Sequence, residues 1–146
     1  MRMKLSLLFG WLLVAGAAQA LEMRSIGSAA AVMYDAPTMK GSKLYVAPRG
    51  MPVEVILTYS NFTKVRDVSG DLSWVETKDL VTRRMLIVKA ANARVRTSPD
   101  ENSALVFSAD KNVLLEMAES PVGAWVKVKH KDGQLGFVRI NEVWGL

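Results

Sequence analysis

An internal repeat constrains the fold of this chain more than any other feature of the sequence. When the chain is displaced by 63 residues, the second half aligns with the first, so that Phe62–Arg66 matches Trp125–Lys129 and Gly70 matches Gly133. Further upstream the displacement is 62, which a one-residue change in a loop explains. The matched pairs there are Ala31 with Ala93, Pro37 with Pro99, Val53 with Leu115 and Glu54 with Glu116. Self-similarity at a fixed spacing indicates repeated structural units, so we expect two similar domains.

Both halves show the pattern of short β-strands. Apolar residues occupy alternate positions in residues 53–59 and 113–117, which is the period of a half-buried strand. Ser69-Gly70 and Asp132-Gly133 lie between alternating runs, where a tight hairpin turn needs glycine at positive φ. No window after residue 20 shows a sustained helical period. The prediction is an all-β chain of two small barrels, because a closed sheet exposes few strand edges. One sandwich of eight to ten strands is the alternative.

The first twenty residues predict an export signal. Two basic residues precede an apolar run over residues 5–17, and Ala18 and Ala20 are the small residues before a cleavage point at Leu21. This order is that of a cleavable secretory signal peptide. A membrane anchor is the alternative, but a spanning helix needs about 20 apolar residues. We expect a mature periplasmic chain without a membrane span.

The predicted organisation has four parts. They are a signal peptide at 1–20, a first domain at 21–82, a linker at 83–85 and a second domain at 86–146. The linker is short and lacks glycine and proline, so we expect it to hold the two domains close together.

Composition excludes several kinds of site. The chain has no cysteine and one histidine, His130, which excludes a disulfide scaffold, a thiolate nucleophile and a multi-histidine metal centre. The formal charge is +5, and it falls to +3 without the two basic residues of the predicted signal. Such a mild net charge indicates that only local patches of charge contribute to function.

The second half resembles a known family. Trp125-Val-Lys-Val-Lys, then Asp132-Gly133 and Gly136-Phe137-Val138, are similar to the bacterial SH3 domain pattern, in which a Trp-x-x-Val strand leads through a glycine turn into Gly-Trp-Val. Ala93-x-Val-Arg-x-x-Pro resembles the opening motif of that family. The resemblance implies tandem SH3-like β-barrels of five or six strands, with no cofactor. It also implies roles in binding peptides or peptidoglycan, often in proteins attached to cell-wall enzymes.

The first half departs from this pattern at two positions. Phe62 stands where the family has tryptophan, and Ser73 stands where it has glycine. These two differences make a ligand-binding role for the first domain the weaker expectation.

No catalytic arrangement is recognisable. His130 is the sole candidate base for a hydrolytic triad, but it lies among lysines before a turn, where we expect it to be exposed. No serine lies in a Gly-x-Ser-x-Gly elbow. Asp100, Glu101, Glu116 and Glu119 are interpreted as solvated surface charge. We therefore expect a protein that is not an enzyme, with no catalytic, metal or cofactor residues.

One strand carries candidate binding residues. Trp125, Lys127 and Lys129 share a strand face, so an aromatic ring lies beside cations that can pair with anions. Tyr34 and Phe62 are weaker equivalents in the first domain. The alternative is that the lysines keep the strand soluble while the tryptophan packs over a barrel end. Nucleic acid would use similar features, but export argues against it. Trp74 and Phe137 occupy matched repeat positions and are expected in the cores.

These observations lead to two function hypotheses. The first is a non-catalytic periplasmic binding or adaptor protein whose tandem domains recognise peptidoglycan or cell-envelope peptides. The second is a structural or assembly subunit that binds one envelope protein and no glycan.

Overall fold

The computed structural model describes residues 21–146, and the signal peptide predicted over residues 1–20 lies outside this range. The described chain contains fourteen strands and two three-residue 3-10 helices, which confirms the all-β prediction. Among residues 21–146, no helix has the length and apolar character needed to cross a membrane.

The first unit is a seven-stranded antiparallel sheet. Its strands are β1 (Glu22–Ile26), β2 (Ala30–Tyr34), β3 (Lys43–Pro48), β4 (Pro52–Tyr59), β5 (Phe62–Arg66), β6 (Leu72–Glu76) and β7 (Leu80–Val81). They lie in the order β3-β2-β6-β5-β4-β1-β7. A 3-10 helix at Thr77–Asp79 joins β6 to β7.

The second unit repeats this arrangement. Its strands are β8 (Met85–Val88), β9 (Asn92–Arg96), β10 (Leu105–Asp110), β11 (Leu114–Met117), β12 (Trp125–Lys129), β13 (Leu135–Arg139) and β14 (Val143–Trp144). The spatial order is β10-β9-β13-β12-β11-β8-β14, and a 3-10 helix at Ile140–Glu142 precedes β14. Strand pairing does not close either sheet into a full ring, because β3 and β7, and likewise β10 and β14, remain the outer strands.

Repeat-related residues fill the same positions in the two cores. The buried pairs are Ala31 with Ala93, Val53 with Leu115, Val65 with Val128 and Val75 with Val138. Full burial of a valine or leucine side chain favours folding by about 1.5–3 kcal/mol. The repeat in the sequence is therefore a repeat of core positions.

The prediction that Trp74 and Phe137 lie in the cores is wrong. In β13 the inward positions belong to Gly136 and Val138, so Phe137 points to the outer face. A Cβ at residue 136 would lie 2.5 Å from Val95 Cγ1 and 2.8 Å from the Arg96 carbonyl oxygen, so that inward position has room only for glycine. Strand alternation then places the aromatic side chain outside, as it does for Trp74 in β6.

A β-bulge changes the face of β4. Val55 pairs with Val65, but Leu57 pairs with Lys64, which leaves Ile56 as the extra residue. Residues 56–59 are all exposed, so the alternation expected over residues 53–59 ends at the bulge, and Leu57 and Tyr59 lie at the surface rather than in the core.

Hydrogen bonds fix the linker to both units. The Ser25 hydroxyl of β1 donates to the Arg83 carbonyl oxygen at 2.7 Å. On the other side, the Met117 N–H donates to the Arg84 carbonyl at 3.1 Å, and Arg84 Nη2 donates to the Gly145 carbonyl at 2.9 Å. Met85, which the sequence placed in the linker, begins β8.

Candidate functional site

The two candidate residues of the first unit are buried. Tyr34 is 3% exposed and Phe62 is 7% exposed. Their rings pack edge to face, with centroids 5.9 Å apart, and the Tyr34 hydroxyl lies 3.6 Å from Met39 Sδ. Neither ring presents a face to a ligand, because each is in contact with the protein itself.

The three candidates of the second unit share one face of β12, as expected, while Val126 and Val128 point into the core. Intramolecular contacts already engage two of them. The Arg139 guanidinium lies over the Trp125 ring at 4.9 Å. Lys127 Nζ pairs with Glu119 at 3.2 Å and lies 5.9 Å from the Phe137 ring centroid. A ligand that stacks on this side of Trp125 must therefore displace a charged group.

Lys129 lies apart from these contacts, at the wall of a cleft between the two units. This inter-unit cleft has a volume of about 780 Å³. The first unit contributes the end of β1, the turn between β3 and β4, and Val81 of β7. The second unit contributes Met85, residues of β11 and the preceding turn, and residues 129–131. Ligand sites in proteins typically have volumes of about 300–1,000 Å³.

Two glycines allow the units to approach each other closely beside this cleft. Gly50 has φ +87°, and a Cβ there would lie 3.2 Å from Met85 Cε. Gly145 has φ +119°, and a Cβ there would lie 2.7 Å from the Met85 carbonyl oxygen of its own unit and 3.3 Å from Pro52 Cβ of the first unit. In each case a glycine of one unit faces a side chain of the other, and glycine adopts positive φ without the usual steric cost.

The lining of the inter-unit cleft has an excess of positive charge. Four cationic side chains line it, and Glu116 is the one carboxylate among the lining residues in the described part of the chain. The cations are Arg49, Arg83, Lys129 and Lys131. Apolar surface lies between them, from Ile26, Val81, Met85, Val113 and Leu114. The arrangement suits an anionic ligand with an apolar portion.

One ion pair lies within the cleft. Arg83 Nη2 donates to Glu116 Oε2 at 2.6 Å. This hydrogen bond is the largest cause that lowers the pKa of Glu116 below its ordinary value; partial burial opposes it, and the positive charges of Arg83 and Lys129 add to it. The same contact raises the pKa of Arg83. Both groups are therefore charged at neutral pH.

His130 also lines the cleft, and it is not the exposed turn residue expected. Its ring packs against Phe107 with centroids 5.4 Å apart, and Nδ1 lies 3.1 Å from Asp132 Oδ1. Hydrogen bonds from the Gln134 backbone and side chain are the main causes that lower the pKa of Asp132. Within residues 21–146, the His130 side chain forms no hydrogen bond with a serine, and no cluster of three or more potential metal-ligating side chains occurs.

Sequence reasoning identified Lys129 but missed the cleft to which it belongs. Arg49, Arg83 and Glu116 come from a turn, the linker and a strand, and only the packing of the two units brings them together. The consecutive arginines at 83 and 84 were the one signal available, because they concentrate charge at the junction.

Comparisons with known proteins agree with the repeated fold. The family model of the bacterial SH3 domain matches residues 27–81 and again residues 89–145. No curated protein matches the chain.

Among solved structures, NlpC2 and NlpC1 from Trichomonas vaginalis are each 11% identical over 88% of this chain. The match covers 49% and 47% of those chains, with TM-scores of 0.41 and 0.40. An NLPC/P60 family protein from Bacillus cereus ATCC 10987 is 16% identical over 84% of this chain and 55% of its own, with a TM-score of 0.38. The chain thus spans about half the length of these structures.

Proposed function

The chain belongs to the bacterial SH3 domain family, with one domain in each unit, and from this premise we propose a non-catalytic binding or adaptor protein of the cell envelope. Its ligand is peptidoglycan or a cell-envelope peptide, and its place is the periplasm. The observation that carries the proposal is the inter-unit cleft, where both domains and the linker supply cations around an apolar surface.

The chemistry of the cleft supports a peptide or a peptide-bearing polymer as the ligand. Carboxylates pair with the four cationic side chains, while aliphatic groups of the ligand cover the apolar surface between them. An exposed ion pair contributes only about 0.2–1 kcal/mol, so useful affinity requires several contacts at once. A cleft that both units line supplies such contacts together.

Two further observations support a binding role without catalysis and an exported location. The His130 ring contacts Phe107 and Asp132 rather than a nucleophile. The first twenty residues have the order of charge, apolar run and small residues that is typical of a secretory signal.

Co-sedimentation with purified peptidoglycan sacculi tests the proposal. Residues 21–146 are mixed with sacculi at low and at physiological salt, next to the variants Lys129→Gln, Lys127→Gln and Trp125→Ala. We expect the wild type to pellet at both salt concentrations. Lys129→Gln should pellet less than the wild type. Lys127→Gln and Trp125→Ala, which change the same strand outside the cleft, should behave like the wild type. If the wild type pellets at neither salt concentration, peptidoglycan is excluded as the ligand.

A second candidate function is the assembly subunit that binds one envelope protein. It is favoured by β3, an outer strand of the first sheet whose Leu44 and Val46 are 50% and 61% exposed. In β10, the residue that corresponds to Val46 in the repeat is the polar Ser108. Exposed apolar strand edges add strands from partner proteins. A photo-crosslinking residue at position 46 should capture one envelope protein in cells if this function holds, and none if it does not.

A further inference from the structure

The ion pair between Arg83 and Glu116 lies in the inter-unit cleft. Both side chains line the cleft, and the pair joins the linker to β11. The backbone of Arg83 is held from the other side by the Ser25 hydroxyl, at 2.7 Å from the Arg83 carbonyl oxygen. Ser25 is buried, so this anchor is fixed while the Arg83 and Glu116 side chains remain partly exposed.

We propose that the cleft binds a linear acidic peptide, and that Glu116 holds the Arg83 guanidinium in the free protein at the place that a ligand carboxylate takes on binding. This inference rests on the proposed function, since it assigns a ligand chemistry to the same cleft. A carboxylate of the ligand presents the same group to Arg83 as Glu116 does, so one ion pair is exchanged for another of equal chemistry.

The remaining charges of the cleft favour such a ligand. Arg49, Lys129 and Lys131 form no ion pair with a carboxylate in the described range of residues 21–146. They come from different units, so a ligand that reaches all three must extend from the first unit to the second. An extended chain with several carboxylates can contact the cations of both units at once.

The apolar surface of the cleft indicates a peptide rather than an acidic glycan. Ile26 and Val81 of the first unit lie on the cleft with Met85 and Leu114 of the second. Aliphatic side chains of a peptide cover such surface and gain the hydrophobic contribution, about 25 cal/mol for each Å² of apolar area removed from water. A chain that alternates carboxylates with apolar side chains therefore matches both kinds of surface.

Fluorescence polarisation with two synthetic hexapeptides tests the ligand chemistry. One alternates glutamate with leucine, and the other alternates glutamine with leucine; both carry fluorescein and an amidated C-terminus. We expect residues 21–146 to bind the glutamate peptide, and the glutamine peptide at least tenfold more weakly. Lys129→Gln and Arg49→Gln should each weaken binding of the glutamate peptide about fivefold, while the matched variant Lys127→Gln should leave it unchanged.

The role of Glu116 has its own measurement. Glu116→Gln frees Arg83 and removes a competing carboxylate, so it should tighten binding of the glutamate peptide about fivefold. In the Arg83→Gln background the same substitution should give a much smaller gain, because the freed partner is absent. Circular dichroism and thermal unfolding of each variant show that the fold is retained. Weaker binding by a folded Glu116→Gln variant would overturn the competitor role.

The outcomes separate this inference from the proposed function. Pelleting with sacculi without binding of the glutamate peptide would overturn the inference and leave the function standing. Peptide binding that Lys127→Gln weakens as much as Lys129→Gln does would overturn the assignment to the cleft. Peptide binding in the cleft without pelleting would support the inference and exclude peptidoglycan. Competition by soluble muropeptides would identify the wall stem peptide as the source of the acidic chain.

Discussion

A pair of repeat-related residues shows how one position can take on different chemistry. Tyr45 in β3 donates its hydroxyl hydrogen to Asp67 Oδ2 at 3.1 Å. Phe107 in β10 occupies the matching position and contacts His130 instead. Burial is the largest cause that raises the pKa of Tyr45 to about 12, and the negative charge of Asp67 adds to it. The fold therefore favours the neutral phenol.

Tyr45→Phe tests this contact. At pH 7 the variant loses one hydrogen bond, so we expect the free energy of unfolding to fall by about 1 kcal/mol. The folded-state pKa lies above the ordinary value, so the stabilisation is complete below about pH 10 and is lost as the pH rises through 12. Urea unfolding from pH 8 to 12 should show a smaller decline for the variant than for the wild type. Equal declines would contradict the assignment, and Tyr59→Phe, at an exposed tyrosine, is the control.

Gly136 tests the inward position of β13. A Cβ there would lie 2.5 Å from Val95 Cγ1 and 2.8 Å from the Arg96 carbonyl oxygen, so Gly136→Ala forces the core to shift. We expect it to lower the free energy of unfolding by about 1–3 kcal/mol, measured by urea titration. Ser73→Ala, at the matching position where a Cβ already fits, should change it by less than about 1 kcal/mol. A neutral Gly136→Ala would show that this site tolerates a side chain.

These residues also show the limit of reading side-chain direction from sequence. The aromatic character of Trp74 and Phe137 predicted burial. In both strands, however, the residues on either side of the aromatic one point into the core, so the aromatic side chain points outward. Tyr34 and Phe62 were candidate ligand-binding residues, and the structure buries both side chains. Residue type alone did not decide these four positions, because strand phase and close packing determine them.

At the scale of elements, local signals predicted the hairpins well. The turn glycines Gly70 and Gly133 have φ of +86° and +93°, as the hairpin signature requires. The bulge at Ile56 had no such signal, since a bulge is defined by the pairing with β5 and not by β4 alone. Turn chemistry is local and can be read from the sequence, whereas strand register depends on the partner strand.

The contact between the linker and β11 predicts a pH dependence. The pKa of Glu116 is lowered in the folded chain, chiefly by the Arg83 hydrogen bond. The ionised carboxylate therefore stabilises the folded state at pH values above the ordinary glutamate pKa of about 4.3. This stabilisation is lost as the pH falls through the folded-state pKa. Chemical unfolding at pH 7 should show Glu116→Gln to be less stable than the wild type. The difference should shrink progressively as the pH falls below about 4. A difference that is constant from pH 7 to pH 3 would contradict this account. Glu22→Gln, at an exposed pair within β1, is the control.

At the scale of the whole molecule, the repeat predicted two units but not the surface that they form together. The core residues follow from hydrophobic periodicity within each unit. The cleft depends on contacts such as Ser25 with Arg83, which are 58 residues apart in the chain. The candidates Trp125, Lys127 and Lys129 share one face of β12, but only Lys129 lines the cleft.

The most direct test of the central claim is a ¹H–¹⁵N correlation spectrum of residues 21–146 during titration with soluble muropeptides. We expect the largest shift changes at cleft residues of both units, such as Gly27, Gly50, Glu116 and Lys129, with little change at the Trp125 indole N–H. Shift changes centred on Trp125 and Lys127, with the residues of the cleft unaffected, would contradict the account and place binding on the outer face of β12.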